Sequence, residues 1–220
     1  MVDKPHKYDT SGLVEGQFEP GSRGRVLKNL LGIRKKREMD SREGFFYFVT
    51  LINFLEHYAI DHRFSAKNIC FMHKEWLRNI YPWAGQYRNV NISKGGFPFA
   101  AAQHIPKMMA EFEAGPLREF TPCRFSTHDE IAKAIAIVHV ELVLIHPFRE
   151  GNGRVARMLA VLMALQAGLP LLDFRDIKGK KRLEYFTAVQ AGLSRNYVPM
   201  ACIFKSVIAR TMKEARKSEG

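Results

Sequence analysis

The strongest constraint on this chain is a pair of apolar helical repeats cut by a short polar break. Ile131, Ile135, Val138, Leu142 and Ile145 recur at steps of three and four residues. That spacing places them on one helix face. Thr127-His-Asp-Glu130 stands just before them and fits a capping box. The helix must end near His146, because Pro147 disfavours helical geometry in the residue before it. A second helix is predicted from about Gly153 to Ala167, with Met158, Leu159, Leu162, Met163 and Leu165 making it apolar on most sides. Such a helix belongs at the centre of a core. The fold must therefore hold a Pro- and Gly-containing turn between two buried helices.

The rest of the chain reads the same way. Helices are predicted over Glu43–Ile60, from a Ser65 cap to Ile80, over Gln103–Ala114, and over 178–193 and 198–216. One segment breaks the pattern. Gln86–Ile92 alternates, Ser93-Lys-Gly-Gly96 follows, and Phe97-Pro-Phe99 comes next. That order predicts a short β-hairpin with a Gly-rich turn. The expected fold class is all-α with one small hairpin. Gly12, Gly16, Pro20, Gly21 and Gly24 disfavour regular helix in a leader over 1–25. The core domain is expected over 26–206, with a basic tail over 207–220.

The 220 residues are 46% hydrophobic and 25% charged, which suits one sizeable core and excludes bulk disorder. The longest apolar stretch, Met158–Leu172, is shorter than a bilayer span. Met1–Tyr8 is polar and lacks a signal-peptide core, so cytoplasmic synthesis is expected, which remains compatible with injection into another cell. Cys70, Cys123 and Cys202 suggest neither a disulfide framework nor a zinc site, and Cys70 and Cys202 are expected in the core. The net charge of +12 suits nucleic acid, a nucleotide substrate or an acidic protein partner. Much of it lies in Arg23–Arg37 and after Lys205, where solvated basic faces are expected. A basic helical protein gripping nucleic-acid phosphate is the competing reading, but no nucleic-acid motif accompanies the charge.

The break itself reads His146-Pro-Phe-Arg-Glu-Gly-Asn-Gly-Arg154, with Arg157 one turn later. Gly151 and Gly153 permit backbone conformations closed to other residues and let a ligand approach the main chain. A helix start presents free N–H groups and the positive dipole end, a natural phosphate cradle. Arg154 and Arg157 share a helix face beside it and can neutralise a polyphosphate. His146 can accept a proton from an attacking hydroxyl near neutral pH. Glu150 can hold Mg²⁺ together with substrate phosphates. Phe148 is expected to anchor the loop in the core.

His146-Pro-Phe-Arg-Glu-Gly-Asn-Gly-Arg-Val-Ala-Arg157 resembles the signature of the Fic family, His-x-Phe-x-(Asp/Glu)-Gly-Asn-Gly-Arg-x-x-Arg, at every specified position. The similarity extends over about Val26 to Ser206. It implies transfer of a nucleotide, usually AMP from ATP, to a Ser, Thr or Tyr hydroxyl of a target protein. His146 and Arg154 would then be catalytic. Phe148, Gly151, Asn152, Gly153, Arg154 and Arg157 would bind nucleotide: Asn152 near the α-phosphate, Arg154 at the β- and γ-phosphates, Arg157 at the γ-phosphate. Glu150 would hold Mg²⁺. A phosphorylating branch of the family commonly has Lys at the second glycine, and Gly153 here favours AMP transfer.

The resemblance also implies that the hairpin is a flap binding the target through Val90, Asn91, Ile92, Ser93, Lys94, Gly95, Gly96 and Phe97. Many relatives carry an inhibitory helix with the pattern (Ser/Thr)-x-x-x-Glu-(Gly/Asn), whose Glu pairs with the second motif arginine, here Arg157. Ser11-Gly-Leu-Val-Glu15-Gly16 is a formal match. The alternative is a separate small inhibitory protein, an antitoxin.

Overall fold

A computed structural model describes residues 12–218. Ser11 lies outside them. After a single 3₁₀ turn at Val14–Gly16 and an isolated bridge between Phe18 and Leu27, the order is α1 (Lys36–His57), α2 (Ala66–Leu77), β1 (Ser93–Lys94), β2 (Phe97–Pro98) and α3 (Ile105–Phe112). A wider turn over Glu113–Leu117 leads into the single turn α4 (Arg118–Phe120). Then come α5 (His128–Ile145), α6 (Asn152–Gln166), α7 (Lys180–Ala191) and α8 (Val198–Ser218). The fold is mostly helical with one two-stranded antiparallel hairpin.

The two central helices form for the reasons legible in their residues. Thr127 accepts from the Glu130 amide while the Glu130 carboxylate takes the Thr127 N–H, closing the capping box at the start of α5. Such a cap is worth about 1 kcal/mol. Ile131, Ile135, Val138, Leu142 and Ile145 are all buried, as are Met158, Leu159, Leu162 and Met163 of α6. α8 closes the core with Met200, Phe204, Val207 and Ile208. The α5–α6 break therefore rises out of the densest part of the molecule.

Several local expectations give way. α1 begins at Lys36 rather than Glu43, and its charged first turns carry an exposed i,i+4 ion pair, Lys36–Asp40. Its Phe45 and Phe48 face solvent. Gln86–Ile92 forms no strand, because its polar groups are spent on other segments: the Arg88 N–H donates to Pro147 O and the Asn91 carboxamide accepts from Ala102 N. The hairpin starts only at Ser93, with Gly95 and Gly96 both at positive φ in its turn. Cys123 is the buried cysteine, while Cys202 is exposed and Cys70 half-buried.

Candidate active site

His146 sits where α5 runs out. It takes a left-handed conformation, φ 52° and ψ 58°, which turns the chain sharply toward Pro147. A non-glycine residue there costs about 1–2 kcal/mol, and functional sites are where such a cost persists. The ring is fixed from two sides. Nδ1 lies 2.9 Å from the Val143 carbonyl oxygen. A carbonyl only accepts, so Nδ1 carries the proton and Nε2 keeps its lone pair. Phe99, just past the hairpin, stacks on the ring at 3.6 Å between centroids and 17° between planes. Burial pulls the imidazole down to about 4, partly opposed by the Val143 contact. It is neutral at physiological pH.

The loop beyond is tied into a closed turn. Both polar atoms of the Asn152 side chain bond the main chain of Phe148: Oδ1 accepts from its N–H at 2.8 Å, and Nδ2 donates to its carbonyl at 2.7 Å. The Asn152 carboxamide thus shapes the loop, with one Nδ2 hydrogen left for any ligand. Phe148 is fully buried and stacks on His73 at 3.9 Å, so it anchors the loop from below rather than touching a nucleotide. His73 is itself locked: its Nδ1 accepts from Gly85 N and its Nε2 donates to Glu150 O. Burial drives His73 down to about 4.

The two glycines differ. Gly151 has φ 85°, and a Cβ there would lie 2.6 Å from the Trp76 ring. It is required twice over, by conformation and by packing. Gly153 is helical, and a Cβ there would meet only Arg157 Nη2 at 3.8 Å. The expectation that both glycines serve an unusual backbone holds for Gly151 alone; at Gly153 a side chain would lie at ordinary contact distance from the Arg157 guanidinium.

The charges converge on this point. Arg154 lies 4.6 Å over the Trp76 ring. Its Nη2 is 2.7 Å from the carboxylate of Glu43, a fully buried residue of α1, and 3.5 Å from Glu150. Tyr81 O–H donates to the other Glu43 oxygen, and Trp76 Nε1–H donates to the Glu43 carbonyl. Arg157 Nε–H donates to Gly153 O, keeping its guanidinium along the first turn of α6. Glu150 is half-exposed and accepts from the Gly151 N–H. Among the described residues no cluster of three His, Cys, Asp or Glu side chains could hold a metal alone. A half-exposed carboxylate such as Glu150 fits Mg²⁺ that takes its other ligands from phosphates and water.

The flap residues separate into a base and a tip. Val90 is buried, so it cannot meet a target. Asn91, Ser93, Lys94, Gly95 and Gly96 are exposed, and Ile92 and Phe97 are half-exposed. Lys94 Nζ rests 4.9 Å over the Phe186 ring of α7. The base is held by Arg88, whose side chain is fully buried: Nε donates to His146 O, Nη1 to Val90 O and Nη2 to Ala100 O. Glu15 is placed at this base rather than beside Arg157. Its carboxylate accepts from Asn89 N at 2.7 Å and its carbonyl from Arg149 Nε at 2.8 Å. Glu43, Trp76, His73, Arg88 and Phe99 escaped the sequence reading, because each lies far along the chain and makes sense only through the contact it forms.

A Fic/DOC family profile matches residues 63–164, which hold α2, the hairpin, the His146 loop and most of α6. These residues form a Fic/DOC family domain. The chain is 30% identical over 143 residues to the protein adenylyltransferase VbhT of Bartonella schoenbuchensis, covering 65% of this chain and 30% of that one. It is 25% identical over 183 residues to the probable protein adenylyltransferase y4lH of Sinorhizobium fredii, covering 83% and 91%. It thus spans less than a third of VbhT, and likewise 24% of the Caenorhabditis briggsae protein adenylyltransferase fic-1, at 36% identity over 129 residues. Among solved structures, the Fic domain of a Bartonella quintana effector with bound ADP superposes at TM-score 0.70 and 25% identity, covering 87% of this chain and 94% of that one. The BepC protein of Bartonella tribocorum with bound AMPPNP superposes at 0.69 and 24%, covering 92% and 98%. Among the described residues no helix is long and apolar enough to cross a membrane.

Proposed function

We propose that this chain transfers AMP from ATP to a hydroxyl side chain of another protein and releases pyrophosphate. The observation that carries the reading is His146: a neutral imidazole with Nδ1 committed to Val143 O, beside a Gly-Asn-Gly helix start flanked by Arg154 and Arg157. The adenylyltransferase names of the relatives and the nucleotide-bound neighbours support it.

The residues divide the work as follows. The target hydroxyl donates its proton to Nε2 of His146 as its oxygen attacks the α-phosphorus in line. The bond from that phosphorus to the bridging oxygen breaks, and its electrons leave with pyrophosphate. The amides at the start of α6 and the Asn152 carboxamide receive the α-phosphate oxygens. Arg154 and Arg157 stabilise the charge building on the β- and γ-phosphates. Glu150 would hold Mg²⁺, which supplies charge neutralisation of the leaving group. The exposed flap would pair with an extended target segment and register its hydroxyl over His146. A depressed imidazole pKa keeps the base unprotonated well into the acid range, at some loss of basicity.

The test uses ATP labelled at the α- or at the γ-phosphate, with Mg²⁺ and a cell lysate. Incorporation of α-label that disappears in His146→Ala is the expected result. Incorporation of γ-label alone means phosphorylation and overturns AMP transfer. A small inhibitory partner protein belongs to the same proposal: the chain alone should be toxic in cells and tolerated beside its genomic neighbour.

A further inference from the structure

The 3₁₀ turn at Val14–Gly16 inverts the usual polarity of a surface segment. Leu13 and Val14 are 39% and 44% exposed, while Glu15 between them and Gly16 is 7% exposed. Burying a carboxylate is costly unless it is paired and hydrogen-bonded. The segment is tied to the core behind it by Glu19 N to Val26 O and Lys28 N to Gln17 O, with Val26 buried. The acid is therefore delivered to a fixed place, the base of the flap.

Three observations meet there. Arg88 is a buried cation whose hydrogen bonds all go to neutral carbonyls: His146, Val90 and Ala100. Those carbonyls belong to the candidate base and to the two stems of the flap. The Glu15 carboxylate is the anion whose field supports the Arg88 charge, while Arg149 opposes it. The same Glu15 accepts from the amide of Asn89, next to Arg88, and its own carbonyl accepts from Arg149 in the His146 loop. Glu15 thus touches the flap with its side chain and the catalytic loop with its main chain, and it balances the cation that joins the two.

We propose that Glu15 is a positioning residue that braces the flap against the His146 loop through Asn89, Arg88 and Arg149. The proposal rests on the AMP-transfer reading for its functional consequence, since the flap is what would register the target. It reverses the sign expected of Ser11–Gly16 as an inhibitory motif. An inhibitory glutamate restrains the enzyme, and its removal raises activity. A bracing glutamate supports it, and its removal lowers activity.

The experiment compares the full chain with Glu15→Ala and Glu15→Gln by three readouts. These are hydrogen–deuterium exchange of residues 90–100, affinity for ATP with Mg²⁺, and incorporation of α-label into lysate protein. Losing one charge-assisted bond at the flap base should raise flap exchange and lower incorporation by about tenfold in Glu15→Ala, with ATP affinity within about twofold of wild type. A general structural defect would weaken ATP binding as well. Glu15→Gln keeps an acceptor for the Asn89 amide but loses the charge, so its flap exchange should rise less. Unchanged flap exchange in Glu15→Ala, or increased incorporation, overturns the brace. If Glu15→Ala does not fold, flap exchange in Glu15→Gln equal to wild type overturns it instead. Absence of α-label incorporation by wild type would sink the AMP-transfer reading alone, because flap exchange still decides the brace.

Discussion

The His146 loop and the flap beside it are both turns, yet they are held in opposite ways. The loop is fixed from within and below: Asn152 closes it onto Phe148, Phe148 stacks on buried His73, and Gly151 packs against Trp76. The flap has strands of two residues and an exposed Gly-Gly tip; its hydrogen bonds to the rest of the molecule lie at its base, and above them Lys94 only rests over the Phe186 ring. Reacting atoms need a geometry held to fractions of an ångström, whereas a strand edge that must accept a target gains from low local stability. The contrast predicts that changes under the loop cost folding energy, while changes at the flap base cost function.

The largest effect should follow loss of the acid beneath Arg154. Glu43→Ala leaves Arg154 without its buried partner and Tyr81 without its acceptor. Arg154 keeps Glu150, so the cost comes from the Tyr81 hydroxyl left unpaired and the cavity opened in the core, together about 3–5 kcal/mol, to be read by urea unfolding. If the loss is under about 1 kcal/mol, the range of an exposed pair, Glu43 is not what steadies this side of the cradle.

Next is Gly151→Ala, which forces a left-handed alanine and puts its methyl carbon 2.6 Å from Trp76. Strain and overpacking together should destabilise by about 3 kcal/mol. An alanine variant as stable as wild type would mean that the loop shifts as easily as the flap.

Acid should act on the core beneath the loop. Burial lowers His73 from 6.5 to about 4, and lowers His139, whose Nε2 meets the Tyr185 hydroxyl, to about 3. The unfolded chain therefore binds these protons first as pH falls. Stability present above about 6.5 should drain away most steeply between 6.5 and 4, where both rings contribute, and more gently from 4 to 3, where only His139 does. A thermal-unfolding midpoint independent of pH across that window would mean both rings are exposed to water in solution.

The two regions were unequally legible. The helices around the loop follow from apolar spacing and a capping box, and the loop residues follow from the chemistry a helix start offers. The side chains that steady the loop do not. Glu43 reads as the edge of an apolar run, and nothing local says that it points inward to an arginine 111 positions away. The flap base misleads in another way. Val90 and Ile92 fall two apart as in a strand, but Tyr87 is out of that register, and Arg88 and Asn91 spend their side chains on His146, Val90, Ala100 and Ala102 instead of a ladder. Glu15 shows the limit of a short pattern: a match to an inhibitory consensus leaves open which arginine the acid meets.

Gly153→Ala gives the smallest folding effect and the sharpest test of the contrast within the loop. Gly153 is helical, has no positive φ, and a Cβ there touches nothing closer than 3.8 Å. Replacing glycine by alanine in a helix favours the fold by up to about 1 kcal/mol, and less in the first turn. Stability should stay level or rise slightly, opposite in sign to Gly151→Ala. The added methyl would nonetheless stand in front of Arg157, where the phosphates would lie. ATP affinity should therefore fall while the unfolding midpoint holds. If both hold, the opening before Arg157 is wider than a triphosphate needs, and only Gly151 is demanded by the loop.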